Sequence, residues 1–178
     1  LNIFSSGDQI VCIGGGFGNE NSSVHIVRGE ITAEAKAISG VVIGSFDGCS
    51  NVRLEKEASV SIRCAGNQLV GIGTEKGTLN VLSEGSIRFY GEGDRIVGVG
   101  ALAGGTGNVC LAGSLVDAEY KGANAIGVGS LIGGVKVTCR SDKMRMYGEG
   151  ETTCGIGNLD GYGSVKIERG TIQVDLLS

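Results

Sequence analysis

The sequence contains no proline and no tryptophan, a single histidine, and only four phenylalanines and four tyrosines among 178 residues. Without proline, no backbone N–H is lost from a hydrogen-bond ladder, so long runs of paired strand are permitted. One histidine excludes a histidine-based metal cage and leaves no Ser–His–Asp constellation to assemble around His25. The charges do not lean toward one sign: 15 Lys and Arg stand against 19 Asp and Glu, a net charge of −4. That balance lacks the basic footprint of a nucleic-acid binder, so no nucleic acid is expected as a partner. No apolar run approaches the ~18 residues of a membrane-crossing helix, so no membrane insertion is expected. No signal-peptide pattern is visible either. The chain starts at Leu1 rather than Met, and is expected to be a single domain (1–178) taken from a longer protein.

Glycine is abundant, with 34 residues. Without proline this is not a collagen composition, and interleaving with Val, Ile and Leu separates it from a disordered low-complexity tract. The six cysteines, Cys12, Cys49, Cys64, Cys110, Cys139 and Cys154, never form C-x-x-C. They are expected to be small buried or half-buried thiols, with a disulfide between stacked repeats as the alternative. Free thiols point to a reducing compartment and weigh against an extracellular location.

The dominant feature is an internal repeat. Gly7-Asp-Gln-Ile-Val-Cys-Ile-Gly14, Gly66-Asn-Gln-Leu-Val-Gly-Ile-Gly73 and Gly93-Asp-Arg-Ile-Val-Gly-Val-Gly100 are one octapeptide written three times, with looser copies ending at Gly44, Gly129 and Gly157. The apolar residues before the closing glycine, Ile13, Ile43, Ile72, Val99, Val128 and Ile156, are 30, 29, 27, 29 and 28 residues apart. A second glycine follows four residues later in every copy, at Gly18, Gly48, Gly77, Gly104, Gly133 and Gly161. Two further alternating runs complete each copy. One runs through Val24, Val52, Leu79, Val109, Val135 and Val165, and the other through Ile31, Val60, Ile87, Val116, Met144 and Ile172. Period-two alternation of mainly β-branched residues predicts strands with one buried face. Three short strands per copy predict an all-β fold: a single-stranded parallel β-helix, a three-sided solenoid of six rungs of 27–30 residues.

From the start of each third strand to the next Ile or Val before glycine, the interval is always 12 residues. From the Gly-Ile-Gly strand to the second strand it varies. That variable edge, longest from Gly14 to Val24 and from Gly100 to Val109, is where repeat proteins tend to bind. The run Gly98-x-Gly100-x-x-x-Gly104 resembles a dinucleotide fingerprint, but no helix follows to hold a pyrophosphate. A turn repeated by the solenoid is the reading, and no cofactor is expected. Asp117 would face inward by alternation from Leu115. The 12-residue interval instead places Val116 and Ala118 inward, with Leu115 as an extra residue in a β-bulge.

The candidate site lies at one corner. Tyr90-Gly-Glu92-Gly-Asp94 and Tyr147-Gly-Glu149-Gly-Glu151 occupy the same address two rungs apart, and Tyr120 lies one residue off it. Two tyrosine rings beside four carboxylates read first as a corner ladder that packs the turn, and beyond that as a sugar-stacking strip. A weak Ca²⁺ site is the remaining alternative. His25, Arg53, Asn80, Cys110, Lys136 and Lys166 are expected to form an outward, mildly basic column on the second strands, with Arg88 and Arg145 adding to it from the third strands. Nothing assembles into a catalytic group, so no enzyme is expected.

The cycle of Gly-Ile-Gly, a four-residue step to glycine, a V-x-I strand and then Arg/Glu-Gly-x-Ile resembles the Gly-rich repeats of large surface or secreted bacterial proteins. The resemblance implies a right-handed parallel β-helix and a binding or adhesion module, with glycan as ligand and a cell-surface or secreted location. A structural spacer or assembly domain of a larger, cytoplasmic protein is the second reading, and a polysaccharide-active enzyme the third. The final pattern Ile172-x-Val174-x-Leu176 lacks an amphipathic cap, so end-to-end self-association or further domains are expected.

Overall fold

The computed structural model describes residues 1–16, 18, 21–113 and 115–177. Its strands are β1 (Asn2–Gly15), β2 (Asn21–Ser45), β3 (Cys49–Thr74), β4 (Thr78–Ser83), β5 (Ser86–Glu92), β6 (Arg95–Leu111), β7 (Leu115–Lys121), β8 (Asn124–Cys139), β9 (Lys143–Glu149), β10 (Thr152–Gly161), β11 (Ser164–Ile167) and β12 (Thr171–Leu177). Every pairing is parallel, and among the described residues there is no helix. Long strands such as β2 and β3 run around the corners of the coil. The chain is a β-solenoid of about six turns, with a glycine face, a second face and a third face in each rung.

Alternation decides what points inward, and the rung-to-rung register stacks like on like. On the third face, Ile31, Val60, Ile87, Val116, Met144 and Ile172 form one interior column. Ala33, Ile62, Phe89, Ala118, Met146 and Val174 form the next. Ring and cavity match between rungs. The Phe89 ring fills space left by Gly71 and Gly91, where an added Cβ would come within 2.6 Å of it. Burying each such Ile or Leu contributes about 1.5–3 kcal/mol.

The closing glycines form a ladder of their own. Gly44, Gly73, Gly100 and Gly129 have φ of 137°, 140°, 147° and 137°, and an added Cβ on each would overlap the carbonyl oxygen of the next rung's glycine. Glycine is therefore required twice over at this address, by backbone angle and by close approach. The turn it allows has a consequence the repeat alone does not announce. Leu69 and Ile96 belong to the main core, while their neighbours Val70 and Val97 belong to a separate apolar cluster with Val41, Leu102, Ile126 and Leu131. Past the glycine the chain folds back, so that Leu102 and Leu131 cover the outer side of the glycine face. This corner is re-entrant, and it gives the solenoid a second core.

Several sequence expectations are corrected. On the second face the register stacks Val24, Val52, Val81, Val109, Val137 and Val165, so two rungs lie two residues from the expected alignment. The true outward column is His25, Arg53, Leu82, Cys110, Thr138 and Lys166; Asn80 and Lys136 belong to the column of Asn51 and Asn108. A shift of two residues preserves which face is buried, so alternation could not detect it. Against the preceding rung the register steps from Ser83–Leu111 to Ile87–Val116, which is the one extra residue expected ahead of Val116; Leu115 pairs regularly with Lys143 of the following rung, with Val116 inward and Asp117 outward. Register also shifts between Ile26 and Arg28 and between Ala103 and Gly105, where Gly105, not Gly104, stacks on Gly133. Asn2–Gly7 also adds a third-face strand ahead of the six repeats, paired with Thr32–Ala37. The variable edge from Gly14 to Val24 includes Phe17, Asn19 and Glu20, which lie outside the described residues.

Candidate functional site

The third face is a flat grid, because strands stacked in register present their outward residues in straight columns. Ser61, Arg88, Asp117 and Arg145 make the first column. Arg63, Tyr90, Glu119 and Tyr147 make the second, and Glu92, Lys121 and Glu149 the third. Tyr90 and Tyr147 therefore share one column as expected, but Glu119 stands between them, so their rings do not form a continuous strip. The Arg63 guanidinium lies 4.7 Å from the centre of the Tyr90 ring and covers one of its faces. Such a cation–π contact is worth about 0.5–1 kcal/mol at an exposed site. The Tyr90 hydroxyl donates to Glu92 Oε2 at 3.3 Å, which fixes the far end of the ring.

Tyr120 is corrected outright. It is fully buried, and its hydroxyl donates to the Cys154 carbonyl at 2.8 Å. Being one residue out of step with Tyr90 puts it on the opposite side of the strand, where its ring occupies the space left by Gly148 and Gly127. Burial pushes its phenol far above the ordinary range.

Glu92 and Glu149 flank Lys121, whose Nζ lies 3.0 Å from Glu149 Oε2; this pairing raises the Lys121 ammonium. Asp94 and Glu151 are exposed where the chain turns toward the glycine face. Among the described residues, no three His, Cys, Asp or Glu side chains converge as metal ligands.

A concavity of about 230 Å³ opens on this face, lined by Ser61, Arg63, Arg88, Tyr90, Asp117 and Glu119. Arg63 and Glu119 are the residues that sequence reasoning missed. Carrying the 12-residue interval backward from each glycine would have put both in the Tyr90 column. Among the described residues, Arg88, Asp117, Glu119 and Arg145 enter no ion pair. Their donors and acceptors are available to a ligand.

Two charge clusters elsewhere are paired locally. His25 Nε2 lies 2.8 Å from Glu55 Oε1, to which the Arg53 Nε also donates at 2.7 Å, and these bonds lower the Glu55 carboxyl. Arg140 and Lys166 hold Glu168 down to about 2. The variable edge carries a larger hollow of about 640 Å³ around Ile132, Gly134, Tyr162 and Gly163. All six cysteines are free thiols. Burial is the main cause that pushes Cys64 up to about 12 and Cys139 up to about 11, which leaves both poorly nucleophilic. Comparison with protein-family models, curated proteins and solved structures finds no match.

Proposed function

We propose that this solenoid is a non-enzymatic binding module that holds a glycan on its third face. The observation that carries this reading is the polar concavity on a wall of strands paired on both sides, where Arg88, Asp117 and Glu119 enter no ion pair among the described residues and lie beside Tyr90. A pyranose offers apolar C–H faces to an aromatic ring and hydroxyls that both donate and accept. Arginine supplies only donors and carboxylates only acceptors, so a face carrying both suits such a ligand. Rigid placement limits the ordering cost of binding.

The test is a glycan array with the wild type and the Tyr90→Ala/Tyr147→Ala double variant, each checked for an unchanged melting curve. Retention of at least one glycan by the wild type, with affinity lowered about tenfold or more in the variant, or about 1.4 kcal/mol, supports the reading. An array without a wild-type signal, or a signal indifferent to both tyrosines, refutes it. Turnover of any polysaccharide would overturn the non-enzymatic part.

A second reading, a spacer or assembly domain, is favoured by one observation. Val165, Ile167, Val174 and Leu176 in the sixth rung are exposed, and would offer an apolar surface to a further rung or a second chain.

A further inference from the structure

Arg88-Phe-Tyr90-Gly-Glu92-Gly-Asp94 and Arg145-Met-Tyr147-Gly-Glu149-Gly-Glu151 are two copies of one array. The register sets each residue of the first directly in line with its counterpart in the second, with one rung between: Arg88, Asp117, Arg145; Tyr90, Glu119, Tyr147; Glu92, Lys121, Glu149. Two rungs span about 10 Å along the solenoid axis. The intervening rung reverses the charge in the first and third columns and places a carboxylate between the two rings in the second. The array thus recurs once, at a spacing of two rungs; the flanking rungs, with Ser61, Arg63 and Ala65 on one side and Gln173, Asp175 and Leu177 on the other, do not continue it.

Resting on the glycan reading above, we infer that the ligand is a neutral, extended polysaccharide lying along the solenoid axis, one disaccharide unit spanning the two-rung spacing. The alternation of sign carries the charge assignment. A polyanion reaching Arg88 and Arg145 would have to cross Asp117 and Glu119, and a polycation reaching those acids would meet the two arginines. Neither can use both arrays without a like-charge contact, which costs affinity. A chain of uncharged hydroxyls uses donors and acceptors alike. The spacing carries the orientation: an extended β-1,4-linked chain repeats by disaccharides over a length commensurate with two rungs, so equivalent hydroxyls reach Arg88 and Arg145 together. Among the described residues, the second array lies along the axis from the first and none lies across it. Tyr147 is 36% exposed and Tyr90 is half-buried beneath the Arg63 guanidinium, so each array presents an aromatic side chain on this face.

Two arrays on one rigid wall make binding bivalent, and the length of the ligand reports it. The experiment is calorimetric titration of the full chain with cello-oligosaccharides and chito-oligosaccharides, from disaccharide to hexasaccharide, beside oligogalacturonides of the same lengths. The expected result is affinity that climbs about tenfold or more between disaccharide and tetrasaccharide in a neutral series and then levels off, with the uronate series weaker throughout. Removing one array, by Arg88→Ala/Tyr90→Ala or by Arg145→Ala/Tyr147→Ala, should bring the tetrasaccharide down to disaccharide affinity. Disaccharide binding should change less than about twofold on removal of the second array, because the concavity lined by Arg88 and Tyr90 remains. Affinity independent of length, tighter binding of the uronates, or no binding of either neutral series would overturn the inference. Any of these would leave the glycan reading standing if the array shows tyrosine-dependent binding; loss of that array signal removes both.

Discussion

Gly100→Ala and Gly157→Ala should differ sharply in cost although the two glycines have the same backbone conformation. Gly100 has φ 147° and Gly157 φ 146°. Alanine in this region is strained at either position, at about 1–3 kcal/mol. The surroundings differ. A Cβ on Gly100 would overlap the backbone carbonyl of Gly129, which no side-chain rotation can relieve, whereas at Gly157 the nearest atom, Cys154 Sγ, is 3.5 Å away. To clear the overlap, the fourth and fifth rungs must separate locally where Val99, Gly100 and Ala101 pair with Val128, Gly129 and Ser130. Losing two or three ladder hydrogen bonds at about 1 kcal/mol each, and stranding buried backbone groups at about 1–3 kcal/mol, adds about 4 kcal/mol or more. At about 2–4 °C per kcal/mol for a domain of this size, Gly157→Ala should lower Tm by about 2–12 °C. Gly100→Ala should lower it by at least about 8 °C beyond that. Thermal unfolding followed by circular dichroism, with amide exchange to localise any opening to the two rungs, measures both. Equal shifts would refute the stacking argument and leave backbone angle as the whole reason for the glycine ladder.

Glu75 sits in the re-entrant corner only 5% exposed, with Oε2 lacking a hydrogen-bond partner, and burial raises its carboxyl. Glu75→Leu should stabilise the chain by about 1–3 kcal/mol at pH 8 in denaturant unfolding. Because the folded form holds the proton more tightly, the wild-type penalty is absent below the unfolded carboxyl's pKa and grows as pH rises through the folded value, so the gain should shrink on acidification. A pH-independent gain, or a loss, would sink that account. Tyr120→Phe should cost about 1–2 kcal/mol by leaving the Cys154 carbonyl without its donor, and Tyr120→Ala about 3–5 kcal/mol by opening a cavity. Neither should alter the hydrogen-bonding groups of the third face, so glycan-array binding by the folded variants should match the wild type. Altered binding at native fold would return Tyr120 to the site.

The repeat, the three strands of each rung and the parity of each buried face were determined by the sequence by itself, because β alternation is a local property of the chain. The 12-residue interval also fixed a true structural constant: Glu30–Ser45 stacks on Ser59–Thr74 without a break in register. That constancy put Tyr90 and Tyr147 in one column before any coordinate was known. Register on the second face was different. A slip of two residues leaves the same side chains inward, so only packing between rungs could decide that Val81 stacks on Val52 rather than Leu79. The same limit moved Asn80 and Lys136 out of the His25 column. Tyr120 illustrates the complementary case. One residue of offset reversed its direction, and the glycines at Gly127 and Gly148 that make room for its ring are neighbours only in the coil. The second core could not be read from alternation, since Val70 and Val97 become buried only when a positive-φ glycine turns Leu102 and Leu131 back over them. The wall that carries Arg63, Arg88, Asp117 and Glu119 is likewise a product of stacking. Sequence set which residues point out, and the tertiary register decided which of them meet.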